Sequence, residues 1–567
     1  SIMAGIPGLD RRAMEAERLA RQMARQPPQD SEPAFRILKG AGSSKRQRSV
    51  SPSAVSREIK RLKWSSPKAT GIQQSQRPLE TRIRYPRGTI KQTWAYGHAR
   101  TDNDIKIEEV LEKSTLKTAL LSAFMWDTNW IMGKLDLQHT KVIMVMQAET
   151  EAVKQQYHQE TAYLGKILRL CFPSMEGNVN CMHSKLMLLF HPHKLRVVIP
   201  SANLTSYDWG ETGIMENSVF IIDLPRLETP SSDTTTMPQF GQELLFFLEK
   251  MDVDEDVRQG VSRFNFFNTG HLAFVHSIGG GQYGSDMERT GYVGLSKAIR
   301  ELKPDSKSSL RSTSNLHIDY AASSIGSIHD EFLTILHNAA RGEDATATPI
   351  SISRTAPKPF QRTSPTSNIR DSISIYFPTH NTVEYSTGGT DNGGTICVQK
   401  KWWTGDKFPR SCFRDYRSKR NGMLSHNKIL YARGVNAEGK KVAWQYVGSA
   451  NLSESAWGKL SWDRKQKEWK IGCRNWECGV IVPVMEGEKL GRKLGRSEVV
   501  VLSDDEEDAG TDSGDAETDG EDEGDKKAAE KTSIPSMDVF NSGSGAGVPF
   551  EYPGTEYKDK EPWFFMG

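Results

Sequence analysis

Cysteine is sparse in this chain, with six among 567 residues (Cys171, Cys181, Cys397, Cys412, Cys473 and Cys478) and no C-x-x-C pair or zinc-like ligand spacing. The spacing offers neither a disulfide framework nor a metal site. It predicts reduced thiols in an intracellular protein. No cofactor is expected. Long hydrophobic runs are missing as well. No apolar stretch approaches the length that crosses a bilayer, and the first residues are polar and charged rather than signal-like, so a soluble protein with no membrane partner is expected. A monomer is expected as well. Hydrophobic residues make up only 37% of the sequence and mean hydropathy is −0.57. Both values are low for a chain folded throughout, which predicts disordered segments beside a normal core.

Net charge is small, at +3, but residues 504–525 hold 13 acidic residues and no Lys or Arg, so the remainder carries +16. A basic body of that kind suits an anionic partner such as nucleic acid.

Composition divides the chain into five stretches. Residues 1–90, rich in Arg, Gln, Ser and Pro, read as a disordered basic tail. Within it Lys45-Arg46-Gln47-Arg48 and Lys60-Arg61-Leu62-Lys63 resemble import signals, so a nuclear location is expected. Residues 91–340 read as a first folded half and 341–370 as a Ser/Thr/Pro linker. A second half follows in 371–486, completed by the aromatic end, 548–567. Residues 487–547 form an acidic insertion.

The two halves carry matching blocks. In the first, His183-Ser184-Lys185 opens an apolar strand, a turn follows at His191-Pro192-His193, a second strand returns, and Ser201-Ala202-Asn203-Leu204 closes the block. In the second, His426-Asn427-Lys428 opens a strand, a glycine-bounded turn runs over residues 434–439, and the return strand ends in Ser449-Ala450-Asn451-Leu452. Trp209-Gly210 and Trp457-Gly458 lie just beyond. The His-to-Asn separations are 20 and 25 residues, a difference that a hairpin turn absorbs. Further on, Glu216 and Glu477 each open an apolar strand and read as equivalent positions.

Residues two apart on a strand share a face, so His183 lies beside Lys185 and His426 beside Lys428. The Ser-Ala-Asn-Leu turn returns Asn203 or Asn451 to its own pair, giving an imidazole, an ammonium and an amide donor: half a site for a phosphate. If the halves pack face to face, two of each surround one phosphorus. The Lys and Asn side chains then stabilise developing oxyanion charge without a metal. One imidazole attacks while the other protonates the leaving oxygen. Glu216 and Glu477 are expected to orient the rings. A lone H-x-K or a lone S-A-N-L carries no such message; two ordered copies in one chain do.

These residues resemble the phospholipase D superfamily, whose members carry two H-x-K half-sites. The usual superfamily motif has an Asp five residues after the Lys, where this chain has Phe190 and Arg433. The sequence is similar instead to the tyrosyl-DNA phosphodiesterase branch, in a fungal form, over most of residues 97–485 and the closing Pro562-Trp563. The resemblance implies an α/β fold of two pseudo-symmetric halves with the site at their interface. It implies His183 as nucleophile forming a phosphohistidine, His426 as general acid, and Lys185, Lys428, Asn203 and Asn451 as phosphate ligands. The implied substrate is a DNA 3′ end, single- or double-stranded, bearing a topoisomerase I-derived peptide or a related 3′ adduct. It also implies DNA contacts from Ser323, Ser324 and Ser327 and from Trp563. An aromatic that often precedes the first His for base stacking has no counterpart in residues 178–182.

Val499, Val500, Val501 and Leu502, followed by acids, resemble a SUMO-interacting motif, in which an extended apolar segment adds to a sheet edge. Two other function classes fit parts of the sequence. One is a DNA-end or SUMO-dependent scaffold without catalysis, which would not need both half-sites. The other is a lipid phosphodiesterase, which the missing Asp positions and the lack of membrane features oppose.

Overall fold

In the computed structural model, residues 83–229, 236–303, 309–344, 368–484, 534–541 and 547–564 are described. The basic clusters near residues 45 and 60, most of the 341–370 linker, the acidic tract and the SUMO-like Val499, Val500, Val501 and Leu502 lie outside them.

Two large mixed sheets form the body. Leaving aside a short edge strand, Asp104–Ile105, the first sheet runs in the order Thr89–Thr93, Ser218–Pro225, Lys194–Pro200, Leu186–Phe190, Thr118–Ser122, Lys141–Val145, Leu168–Cys171. The second runs Ala273–Ser277, Asn475–Pro483, Lys441–Gly448, Lys428–Asn436, Ser312–Ala322, Ile373–Phe377, Phe413–Asp415. Strand directions match pair by pair: four antiparallel neighbours, then two parallel steps. The duplication is therefore a whole sheet of seven strands, well beyond the two short motifs.

This topology moves the boundary expected from composition. Ala273–Ser277 and Ser312–Ala322 fall within the stretch assigned to the first half, yet both are strands of the second sheet. The division between sheets falls between Pro225 and Ala273, and the Ser/Thr/Pro-rich 341–370 segment lies inside the second half.

The sheets face each other, and the strand sequences explain how. Leu186 and Leu188 join Phe220, Tyr431, Val447 and Val480 in one buried cluster between the sheets. Met187 and Leu189 point the other way, into a cluster with Ile131 and Trp209. In the second half Ile429 and Tyr431 face inward, while Leu430 and Ala432 pack outward with the helices Gly291–Glu301 and Asp330–Ala340. Strands buried on both faces read as continuous apolar runs, as these do.

The end of the chain wraps over the second half. Phe550 stacks 4.2 Å from Tyr376 and 5.1 Å from Tyr416, and Phe540 lies 4.7 Å from Tyr431, centroid to centroid. Arg433, one of the two positions where the superfamily has Asp, donates to Pro535 O at 3.0 Å and to Asp319 at 2.6 Å. Arg433 thus anchors the tail and takes no place in the cleft.

Candidate active site

Each half-site begins where its sheet crosses to the other half. Cys181–Met182 pairs parallel with Asn475–Trp476, and Leu424–Ser425 pairs parallel with Met215–Glu216. His183 N–H donates to Trp476 O at 3.0 Å, and His426 N–H donates to Glu216 O at 3.0 Å. Each histidine is thereby pinned by the opposite half. His183, Asn203, His426 and Asn451 all line one cleft of about 1030 Å³. Lys185 and Lys428 are wholly buried behind it. Lys185 Nζ donates to His183 O at 2.9 Å and Lys428 Nζ to His426 O at 2.6 Å, the same contact twice.

The amides are equally matched. Asn203 Oδ1 accepts from Met125 N–H at 3.3 Å, and Asn451 Oδ1 accepts from Ser324 N–H at 3.0 Å. With the oxygen committed to a backbone donor, each side chain turns its Nδ2 hydrogens the other way, as donors for an anion.

The expected carboxylates are only half right. Glu477 Oε2 accepts from His183 Nδ1 at 2.8 Å and from Ser449 Oγ at 2.5 Å, and Oε1 accepts from Asn475 Nδ2 at 3.0 Å. It belongs to the half opposite the ring it orients. Glu216 does not face His426: its carboxylate takes Tyr416 Oη at 2.8 Å and Arg420 Nε at 3.0 Å. The reason is register. Val219 pairs with Pro200 as Gly479 pairs with Gly448, so the residue equivalent to Glu477 is Asn217, and Glu216 corresponds to Trp476. A slip of one residue sends a strand side chain to the opposite face.

The carboxylate beside His426 is Asp208, whose Oδ2 lies 3.3 Å from Nδ1. The contact lacks in-line hydrogen-bond geometry, and His426 Nδ1 and Asp208 Oδ1 are both buried without another partner. Asp208 also accepts from Asn203 N–H at 2.7 Å. Its sequence signal is Asn-Leu-x-x-x-Asp-Trp in the first block, where the second has Ala456 before Trp457.

Burial lowers both imidazoles. His183 is held at about 4 by desolvation, with Lys185 and Lys428 adding to the effect against the pull of Glu477. His426 falls to about 3 for the same reason, with Lys428 and Lys185 opposing Asp208. For Glu477 desolvation works upward, but His183, Lys185 and the Ser449 hydroxyl outweigh it and keep the carboxyl below its ordinary value.

Three further histidines, His191, His271 and His337, are depressed to about 4 by burial. All five are neutral in both states above pH ~6.5, where their share of stability is complete. As pH falls below that value the unfolded chain binds protons that the folded chain refuses, so stability is lost on the way down to pH 4. Urea titrations between pH 7 and 4.5 are expected to show a continuously falling midpoint, with protons taken up on unfolding as pH falls through this window. A midpoint independent of pH in this window would contradict the burial of these rings.

Ser323 Oγ donates to Asn451 Oδ1 at 3.3 Å, and Ser323, Ser324 and Ser327 line the cleft. Trp563 does not. Its indole donates to Gly393 O at 3.1 Å and lies 5.5 Å from the His380 ring. Phe124, which the sequence did not flag, sits 5.5 Å from the His183 ring and lines the cleft. Among the described residues no group of three or more His, Cys, Asp or Glu is arranged to hold a metal ion.

Two imidazoles and two amides thus line one opening between duplicated α/β halves, with an ammonium group buried behind each half-site. The chain belongs to the tyrosyl-DNA phosphodiesterase family, whose model matches residues 89–558. It is 24% identical over 399 residues to tyrosyl-DNA phosphodiesterase 1 of Arabidopsis thaliana, a match covering 66% of this chain and 58% of that protein. It is 22% identical over 397 residues to a probable tyrosyl-DNA phosphodiesterase of Caenorhabditis elegans, covering 67% and 79%. The chain thus spans less than two thirds of the Arabidopsis relative. A crystal structure of a yeast tyrosyl-DNA phosphodiesterase mutant shares the fold, with a TM-score of 0.52 at 18% identity over 84% of this chain and 99% of that one.

Proposed function

We propose that this protein is a DNA-repair phosphodiesterase of the nucleus that hydrolyses 3′-phosphotyrosyl ends, the remnants of topoisomerase I, and related 3′ adducts. The observation that carries this reading is two histidines, one from each half, lining a single cleft with unlike carboxylate partners.

His183 is neutral, and Glu477 takes its Nδ1–H, which leaves the Nε2 lone pair for attack. The new bond joins Nε2 to phosphorus, and the bond from phosphorus to the tyrosyl oxygen breaks with its electrons on that oxygen. His426 supplies the proton. Its proton affinity is low in the empty cleft, and an incoming phosphodiester anion raises it. Asp208, close but loosely aligned, is in reach to tighten on the ring as it charges. Water then attacks the same phosphorus, His426 takes its proton, and the bond to Nε2 breaks, releasing DNA with a 3′-phosphate. Lys185, Lys428, Asn203 and Asn451 bind the non-bridging oxygens through both steps. Ser323, Ser324 and Ser327 are suited to the DNA backbone, and Phe124 offers an apolar ring face beside the reacting phosphate.

The test is tyrosine release from a 3′-phosphotyrosyl oligonucleotide in excess EDTA. Full activity in chelator, with none on phosphatidyl lipids, is expected. No release, or release only with added metal, would remove this reading.

A further inference from the structure

The two places where the halves exchange strands are related by the pseudo-dyad but anchored by different chemistry. Beneath His183 the crossing residue is Trp476, buried to 1% exposure, whose indole donates to Ser174 O at 3.0 Å and whose ring lies 6.0 Å from Phe247. Beneath His426 the equivalent residue is Glu216, also 1% exposed. Its carboxylate reaches across the interface to two residues of the second half. Tyr416 Oη donates to one oxygen, and Arg420 donates to the other from Nε at 3.0 Å while Nη2 lies 2.9 Å away. Arg420 then continues into the first half, donating to Thr93 O at 2.7 Å. Tyr416 Oη in turn accepts from Asn427 Nδ2 at 3.2 Å, and Asn427 stands between His426 and Lys428.

We infer that Glu216 is a positioning residue for His426, a clamp that fixes the second H-x-K segment against the first half and so governs the step in which His426 activates water. Its backbone carbonyl holds the His426 N–H, while its side chain holds Tyr416 and Arg420, both in the stretch that leads into that segment. The effect is one of position, because the Glu216 carboxylate is bound to Tyr416 and Arg420 and turned away from the His426 ring. Adduct formation expels a phenol, a good leaving group that tolerates an ill-placed acid. Adduct breakdown needs a base in line with water and does not. Loosening the clamp therefore slows breakdown more than formation.

This inference rests on the phosphohistidine reading above, and its test separates the two. Labelled 3′-phosphotyrosyl DNA is mixed with excess full-length enzyme, and protein-linked DNA is followed on denaturing gels for wild type, Glu216→Gln, Tyr416→Phe and His426→Asn. Glu216→Gln is expected to slow adduct breakdown about tenfold or more, as a displacement of about 1 Å can cost 10²-fold, and to slow formation by less than about threefold. Tyr416→Phe should move in the same direction, and it carries the test if Glu216→Gln does not fold. Equal slowing of both steps, or a lower Tm with wild-type partition between them, overturns the positioning role. If His426→Asn traps no adduct, the phosphohistidine reading fails and takes this inference with it. If His426→Asn traps DNA while the Glu216 and Tyr416 variants behave as wild type, only the inference fails.

Discussion

Replacing His183 with alanine is expected to abolish tyrosine release, by a factor of ~10⁴ or more, and to leave no protein-linked DNA on a denaturing gel. The size of the effect follows from the covalent step. In the proposed mechanism the imidazole supplies the electron pair that forms the bond to phosphorus, and an alanine side chain has none to offer. His426 lines the same cleft with Asp208 at its Nδ1, and the proposed mechanism assigns it to the leaving oxygen. Residual rate comes from water attacking a phosphate still held by the Lys and Asn groups, and leftover catalysis of that kind is worth about 10³-fold over solution. Folding should survive. The strand exchange at this point runs through the backbone, His183 N–H to Trp476 O, and removing a ring that lines the cleft opens no cavity in the core. A single-turnover assay with Tm measured in parallel checks both halves of the statement. Near-normal turnover would move the nucleophile elsewhere and end the assignment.

How much of this was legible in the sequence depends on how local each feature is. The His, Lys and Asn positions could be read directly, because H-x-K and S-A-N-L are each a few residues long and occur twice. The apolar runs around them marked buried strands for the same reason. The extent of each half could not be read that way. Ser312–Ala322 pairs with Lys428–Asn436 over more than a hundred residues, and Ala273–Ser277 pairs with Asn475–Pro483 over about two hundred. A Ser/Thr/Pro-rich stretch between such partners looks the same whether it links two halves or loops out of one.

The carboxylates show a finer limit. Aligning Glu216 with Glu477 is natural on paper, since each opens an apolar run, but strand pairing offsets them by one residue and puts Asn217 in the Glu477 position. The side chain that the slip turns away from His426 becomes the clamp on Tyr416 and Arg420. Asp208 then fills the vacated role from a turn the second block does not share. The two imidazoles thus each receive a carboxylate from across the interface, but from different elements: Glu477 from a strand at 2.8 Å for His183, Asp208 from a turn at 3.3 Å for His426. Strong fixation suits a nucleophile that must hold one tautomer. A looser contact suits a ring that must give and take a proton in one cycle.

That contrast makes Glu477→Gln the second variant with a large expected effect. The carboxylate is surrounded by donors: Ser449 Oγ and His183 Nδ1 on Oε2, Asn475 Nδ2 on Oε1. A glutamine amide must set its NH₂ against one of them. If it faces His183, the ring is driven to the tautomer that carries its hydrogen on Nε2, and the attacking lone pair is lost. The alternative is for Asn475 to turn its own amide over, which saves the tautomer but not the charge. In the proposed mechanism His183 becomes cationic once bonded to phosphorus, in a site where Lys185 and Lys428 already oppose that charge and Glu477 is the anion in contact with it. Either route raises the barrier to adduct formation, and a wrong-tautomer or uncompensated imidazole costs about 10²- to 10⁴-fold. The loss should fall on formation of the adduct, opposite to the breakdown defect expected of Glu216→Gln, and pre-steady-state traces of the two variants side by side distinguish them. Unchanged formation in Glu477→Gln would mean that His183 needs no anionic partner, and the unequal division of labour between the two rings would have to be abandoned.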